Sequence, residues 1–405
     1  MKVKISSLVL IIYLSFALDS ALKINAGVQL HLGIIGILLF NCVLLVNNPK
    51  VIPTTLSVNK ILLLFSIWFL FSFLFTQIEG GAVLLLYLLI AINVMVYCSY
   101  TEKYFDFSFV KKFQYLMLFS GLIQFLAYKT LGYQISFIDP EHYEKGFSVS
   151  ERLRGFFLEP NWFAIALAFN TFLLFGNDPI EAIKKQKLLC ILTLFVFLVN
   201  GSLAPLGILV LTYSFPYLRK KPLKGGLMCL VLLCFFLFTY EFRGNIKSTQ
   251  NTNLNIESSI LNHSSRLIPV IRTFDHQVHE GFEKFVFGQG VGAWATIAVP
   301  NGLSALVFEA KAGVRDGSEV PVVFFELGFL GIALLLFDSI SLFFKSKKED
   351  FHYKGAVILF LVCLFFYPTF KFWMYMPYYF YIRARINGKY YFNTAKRESK
   401  LYNKM

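Results

Sequence analysis

The chain has 405 residues, of which 57% are hydrophobic, 18% aromatic and only 15% charged. Water-soluble domains run nearer ~45–50% apolar and ~25% charged, so this composition, with 47 phenylalanines, excludes an ordinary soluble globular domain. The formal charge of +14 would suit a polyanion, but the placement of the basic residues points away from nucleic acid.

Apolar runs of roughly 15–20 residues recur from end to end, each long enough to cross ~30 Å of hydrocarbon as a helix. The predicted spans are 5–22, 28–46, 61–76, 82–98, 113–131, 157–175, 188–200, 203–217, 227–240, 320–343, 355–367 and 370–382. The first has a basic start (Lys2, Lys4), an apolar stretch and small residues at Ala17 and Ala21, a pattern shared by signal peptides and first helices. An uncleaved helix is expected, and neither reading changes the sidedness downstream. Asn200, Gly201 and Pro205 divide 188–217 into two crossings; a single one would carry RKKPLK (219–224) to the outer face. The same logic splits 355–382 near Pro368. The fold expected is therefore all-α, a polytopic transmembrane helical bundle of about 12 spans (10–12).

With both ends cytoplasmic, the basic residues collect on one side. They are Lys50 and Lys60; Lys103, Lys111 and Lys112; Lys184, Lys185 and Lys187; Arg219, Lys220, Lys221 and Lys224; Lys345, Lys347, Lys348 and Lys354; and the tail from Arg383 to Lys404. This is the positive-inside bias. The regions expected are N-terminal helices (1–131), a first extracytoplasmic loop (132–156) and central helices (157–240). A large extracytoplasmic loop with an amphipathic helix (241–319), C-terminal helices (320–382) and a basic cytoplasmic tail (383–405) complete the chain. Cys42, Cys98, Cys190, Cys229, Cys234 and Cys363 all lie in or beside apolar runs. They read as small core residues, not as a disulfide framework or metal site.

The outer loops hold the chemistry. Arg152 and Arg154 precede the 157–175 span, and Glu159, Pro160 and Asn161 sit just inside it. Pro160 suits the first turn of a helix. An interfacial arginine can simply snorkel its head into water. Two outside arginines beside carboxylates also match a phosphate headgroup, which guanidinium holds bidentately. In the large loop, KSTQNTNLNIESSILNHSS is polar and reads as irregular. From Ser265, a candidate N-cap, the residues Leu267, Ile271, Phe274, Val278, Phe282 and Phe285 follow helical spacing. Such a stripe lies on a bilayer surface or against the bundle.

Arg266 opens that helix and Arg272 follows within it. Gly288, Gly290 and Gly292 in FGQGVGAW permit close backbone approach or positive φ; their spacing is not a dinucleotide fingerprint. Asp316 and Glu319 lead into the next span, inside which Glu326 would fall as an intramembrane carboxylate. That position marks either a functional group or a buried interhelical hydrogen bond. His276 and His279 share a helix face but lack a third metal ligand.

The order RLRGFFLEPN at a central span, SSRL and FGQGVG in a late outer loop, then FELGFLG, resembles the superfamily of O-antigen polymerases and O-antigen ligases. The likeness covers most of residues 100–345. It implies a glycosyltransferase of the bacterial cytoplasmic (inner) membrane that joins undecaprenyl-diphosphate-linked oligosaccharide units. On that resemblance, Arg154 and Arg266 bind the diphosphate, with Arg152 and Arg272 as alternates. Glu159 is the expected base, Asp316 the second choice, and Asn161, Gly288, Gly290, Gly292 and Glu326 support the site. No cofactor or metal is expected, because a sugar diphosphate is already activated. The partners implied are the lipid-linked oligosaccharide, membrane lipids, a chain-length regulator and a flippase, with no nucleic acid.

The ligase branch typically carries a histidine just before the helix start that here reads RDGSEVPVVFF, which favours the polymerase. A ligase stays as one alternative. A flippase is another, although flippases usually show internal repeats and short loops, and no repeat is visible here. A glycosyltransferase with an acidic first outer loop is disfavoured, since that loop reads KINAG (23–27).

Overall fold

A computed structural model describes residues 5–25, 29–49, 51–74, 81–131, 153–157, 160–175, 183–200, scattered positions from 205 to 226, 268–304, 318–346, 351–366 and 379–388. Helix accounts for 89% of the described residues, in keeping with an all-α class. Two described helices, Leu84–Tyr104 and Glu319–Lys345, are long and apolar enough to cross a membrane. Five others are apolar but span 10–17 residues.

The chain forms two compact units, the first comprising Met1–Cys42, Tyr100–Asn245 and Lys347–Leu359. It opens with α1 (Ile5–Ser15), which runs through a 3₁₀ segment into a hairpin of β1 (Lys23–Asn25) and β2 (Gln29–His31). The strands are antiparallel, with Lys23 opposite His31. This corrects the span expected from residue 28: helix α2 (Leu32–Asn47) starts only after the strand. The long helix α6 (Phe107–Leu131) starts six residues before the expected 113 because Asp106 caps it, its carboxylate accepting from the Ser108 N–H at 2.8 Å. Helices α7 (Pro160–Phe175) and α8 (Lys187–Asn200) pack on α6.

A string of buried polar side chains joins these helices. Gln114 donates to Thr171 and Thr193, both at 3.1 Å, and Asn170 donates to the Gln114 carbonyl oxygen at 2.9 Å. The Tyr13 hydroxyl donates to Asn170 at 3.3 Å. Meanwhile α8 buries Thr193 and Asn200 but exposes Leu188, Ile191, Leu194 and Leu198. Water-soluble helices sort their residues the other way. Sequence patterning missed this string because apolar runs conceal single polar residues whose partners lie far along the chain.

The second unit comprises Val43–Ser99, Ile246–Ser346 and Phe360–Met405. It contains α3 (Val51–Val58), read from sequence as loop, then α4 (Lys60–Leu74) and most of α5 (Gly81–Thr101). Later come α9 (Ile268–Glu280), α10 (Phe282–Phe287), a π-helical turn (Trp294–Ala298), α11 (Glu319–Lys345) and part of α12 (Phe351–Phe366). Helix α11 packs on α4 around Phe65, Phe69, Val323 and Leu327. The expected single amphipathic helix is in fact two, divided at Gly281, whose φ is 107°.

A further helix, α13 (379–388), takes in the first residues of the basic cytoplasmic tail expected from Arg383, whose remainder lies outside the described residues. Arg383 is buried and grips the Asp338 carboxylate with both terminal nitrogens, one at 2.7 Å, while its Nε donates to Asn59. Asn387 donates to the same Asn59 oxygen at 3.1 Å. Removing one member of such a pair strands a buried charge, at a cost of about 3–5 kcal/mol. Arg383→Ala should therefore melt well below the parent in a thermal unfolding assay. A paired Asp338→Leu, Arg383→Leu variant should lose less; an equal or larger loss would contradict the ion-pair account.

Candidate functional site

Residues 153–157 of the RLRGFF stretch form a tight turn in the first unit. The Phe157 N–H donates to the Arg154 carbonyl at 3.0 Å and closes it. Three helices hold the turn. Gln124 of α6 accepts the Arg154 N–H at 3.2 Å, and Phe157 meets Phe163 of α7 edge to face at 5.6 Å. Asn200, the last residue of α8, donates to the carbonyls of Leu153 and, at 2.9 Å, Pro160. Gly155 has φ of 54°, and a Cβ there would sit 2.6 Å from the Ser120 hydroxyl. The turn therefore needs glycine at this position.

Its outcome is the placement of Arg154, which is only 1% exposed. A snorkelling arginine keeps its head in water, so the structure overturns that reading. Loss of hydration pushes the guanidinium down to about 10, which still leaves it charged at neutral pH. A fixed cation in a low-dielectric setting attracts an anion far more strongly than one in water. Of its sequence neighbours, Asn161 is half-buried in the first turn of α7. Arg152 and Glu159 lie outside the described residues, as do Arg266 and Asp316.

The second cluster lies in the other unit and unites two motifs that sequence analysis kept separate. Helix α11 breaks at Gly328 (φ 66°, ψ −169°), two residues after Glu326. A break exposes carbonyls that a continuous helix would satisfy. Here the glycine loop answers them: the Gln289 N–H donates to Phe325 O at 2.7 Å and the Gly290 N–H to Glu326 O at 3.0 Å. Two side chains assist, the Trp68 indole donating to Leu327 O at 3.0 Å and Gln277 to Phe325 O at 2.9 Å.

The Glu326 side chain turns back to the same loop. Its Oε1 accepts the N–H of Gly292 at 3.1 Å and of Trp294 at 3.3 Å, at the start of the π-helical turn. Gly288, Gly290 and Gly292 take φ of 82°, 99° and 90°. A Cβ on Gly288 would overlap the Glu326 carbonyl, and one on Gly328 would overlap that of Val286. Two backbones thus touch directly, and Glu326 acts as the clasp between them.

Arg272 is exposed and donates to Gly302 O at 2.8 Å, so it braces the loop. His276 stacks on Phe325 at 5.8 Å, while His279 lies 2.8 Å from the Asp275 carbonyl. Among the described residues, no three potential ligands converge on a metal position. Sequence reasoning missed Gln124, Trp68 and Gln277 as holders of the two clusters. Gln277 left one signal: it falls three residues from Phe274, beside the apolar stripe of α9. Asn200 was visible, but only as an interruption between spans. Comparison with protein-family models and with curated proteins finds no significant match.

Proposed function

We propose that this chain is a multi-pass glycosyltransferase of a bacterial cytoplasmic membrane, with about twelve crossings. It polymerises undecaprenyl-diphosphate-linked oligosaccharide units into O-antigen, capsule or a related surface polysaccharide at the outer face. The observation that carries this reading is Arg154, a charged guanidinium buried in a turn pinned by three helices. The membrane assignment draws support from helices that bury polar groups and expose leucine and phenylalanine.

In this reaction an acceptor hydroxyl on the incoming unit attacks the anomeric carbon of the growing chain. The bond from that carbon to the diphosphate breaks, and undecaprenyl diphosphate leaves with the bonding electrons. Arg154 and Arg266 stabilise the charge that gathers on the leaving group, with Arg152 and Arg272 in the same loops. Glu159, or Asp316, takes the hydroxyl proton. The diphosphate needs no protonation to depart, so no general acid is required.

A strain lacking this chain should carry surface glycan capped at one repeat unit, and the full-length chain should restore the polymer. Accumulation of long lipid-linked chains would instead assign a ligase. Units trapped on the cytoplasmic side would assign a flippase, and either outcome overturns the polymerase.

A further inference from the structure

Helix α9 is arranged backwards for a protein in water. Its buried side carries Thr273 and Gln277, both 0% exposed, while Ile271, Phe274 and Val278 are 69%, 54% and 49% exposed. After Gly281, Phe282 is 80% exposed. The inward-facing Gln277 donates to the carbonyl of Phe325 beside the α11 break, so α9 cannot roll to hide its apolar stripe without giving up that buried hydrogen bond. Next to the stripe runs a second exposed one, formed by Arg272, Asp275 and His279. An apolar strip flanked lengthwise by a charged strip is what a helix presents when it lies in the plane where acyl chains give way to headgroups.

The apolar surface also does not stop at α9. Phe274 stacks on Phe324 at 6.0 Å, and Phe285 of α10 stacks on Phe329 at 6.0 Å. Phe329 opens the part of α11 beyond the break, whose exposed side continues through Phe337, Ile340 and Phe344. That part alone is about 25 Å long as a helix, close to the hydrocarbon thickness of a bilayer. The shelf and the exposed face of a candidate span are one continuous apolar surface, so whatever solvates one solvates the other.

We infer that α9 and α10 form a lipid-binding shelf: they lie on the bilayer at the level of the α11 break, with Ile271, Phe274, Val278 and Phe282 set among acyl chains. The shelf holds the glycine loop and the Glu326 clasp at the membrane surface, where a lipid-linked headgroup would meet them. This rests on the membrane reading above, and the test separates the two.

Single nitroxide labels would be placed by cysteine substitution at 271, 274, 278 and 282, at 275 and 279, and at 337 and 344. The full chain, with Cys42, Cys190, Cys229 and Cys234 changed to alanine, would be reconstituted in phosphatidylcholine nanodiscs. All eight positions are exposed; Phe274 also stacks on Phe324, so the label at 274 is read together with those at 271, 278 and 282. Collision with oxygen, which concentrates in acyl chains, should exceed collision with a water-soluble nickel chelate at 271, 274, 278 and 282. The order should reverse at 275 and 279. Nickel dominance at the four shelf positions, with oxygen dominance at 337 and 344, would overturn the shelf alone. Protection of the shelf from both reagents would also overturn it, showing protein cover in place of lipid. Nickel dominance at 337 and 344 as well would bring down the membrane reading and the shelf together.

Discussion

Arg154→Met is expected to leave the chain folded and inserted while polymer formation falls at least about a hundredfold, the usual effect of removing one donor aimed at developing charge. The two halves of this expectation have different origins. Arg154 is 1% exposed, and burying a guanidinium is costly. Methionine has similar length and no charge, so it fills much of the same space without a buried ion to desolvate. The variant should still unfold as a cooperative, folded protein in a thermal melt. A residue kept only for packing would give the opposite pattern, with stability lost and activity falling in proportion to the folded fraction.

Arg154→Lys separates charge from shape. Lysine supplies a point charge without the planar fork that matches phosphate oxygens, so activity should fall between the parent and Arg154→Met. Because the guanidinium is covered in this structure, the proposed diphosphate contact would require the side chains around the turn to part. Normal chain-length polymer from Arg154→Met, at normal expression, would remove Arg154 from the mechanism.

Much of the helical framework was legible because apolar runs mark both the position and the approximate length of a helix. The predicted 61–76, 157–175, 188–200 and 320–343 lie within a few residues of α4, α7, α8 and α11. Pro160 marked the start of α7 for a local reason, its missing N–H being harmless in the first turn. The misses share a different cause. Nothing local shows that α11 breaks at Gly328, since a single glycine inside an apolar run is tolerated within a helix. The break is stabilised by a loop 34 residues earlier, where Gly292 meets Glu326.

Arg383 looked like the start of a basic cytoplasmic tail because basic residues crowd the sequence after it. Its partner Asp338 lies 45 positions away, and an ion pair of that separation leaves no periodic trace. The site shows the same division. The motifs RLRGFF and FGQGVG stood out as charge and glycine patterns, but their holders did not. Gln124, Gln277 and Trp68 are ordinary residues made significant by carbonyls and amides that only the folded backbone brings near them.

Gly328→Ala should be the most damaging small substitution in the second unit, lowering stability by about 4 kcal/mol or more, the range reached when several faults coincide. The first fault is conformational. At φ 66° and ψ −169° the backbone occupies a region essentially restricted to glycine. The second is steric, since the added methyl would overlap the Val286 carbonyl, and a backbone atom cannot turn aside as a side chain does. Relief means separating the two backbones, which releases the Gly290 and Gln289 bonds to Glu326 and Phe325. The Glu326 carbonyl then loses its close donor, adding ~1–3 kcal/mol, while the Phe325 carbonyl keeps that of Gln277. Gly302→Ala isolates the first kind of fault: φ there is 68° and a Cβ would meet nothing within 4 Å, so it should cost only about 1–2 kcal/mol. Gly288→Ala attacks the Gly328 contact from the other side, where its methyl would strike the Glu326 carbonyl. Since one separation of the chains relieves both clashes, the double variant should lose clearly less than the sum of the singles. Thermal melts of the purified variants decide the matter. A Gly328→Ala variant that melts with Gly302→Ala, or a fully additive double variant, would mean that the loop and the broken helix do not depend on each other.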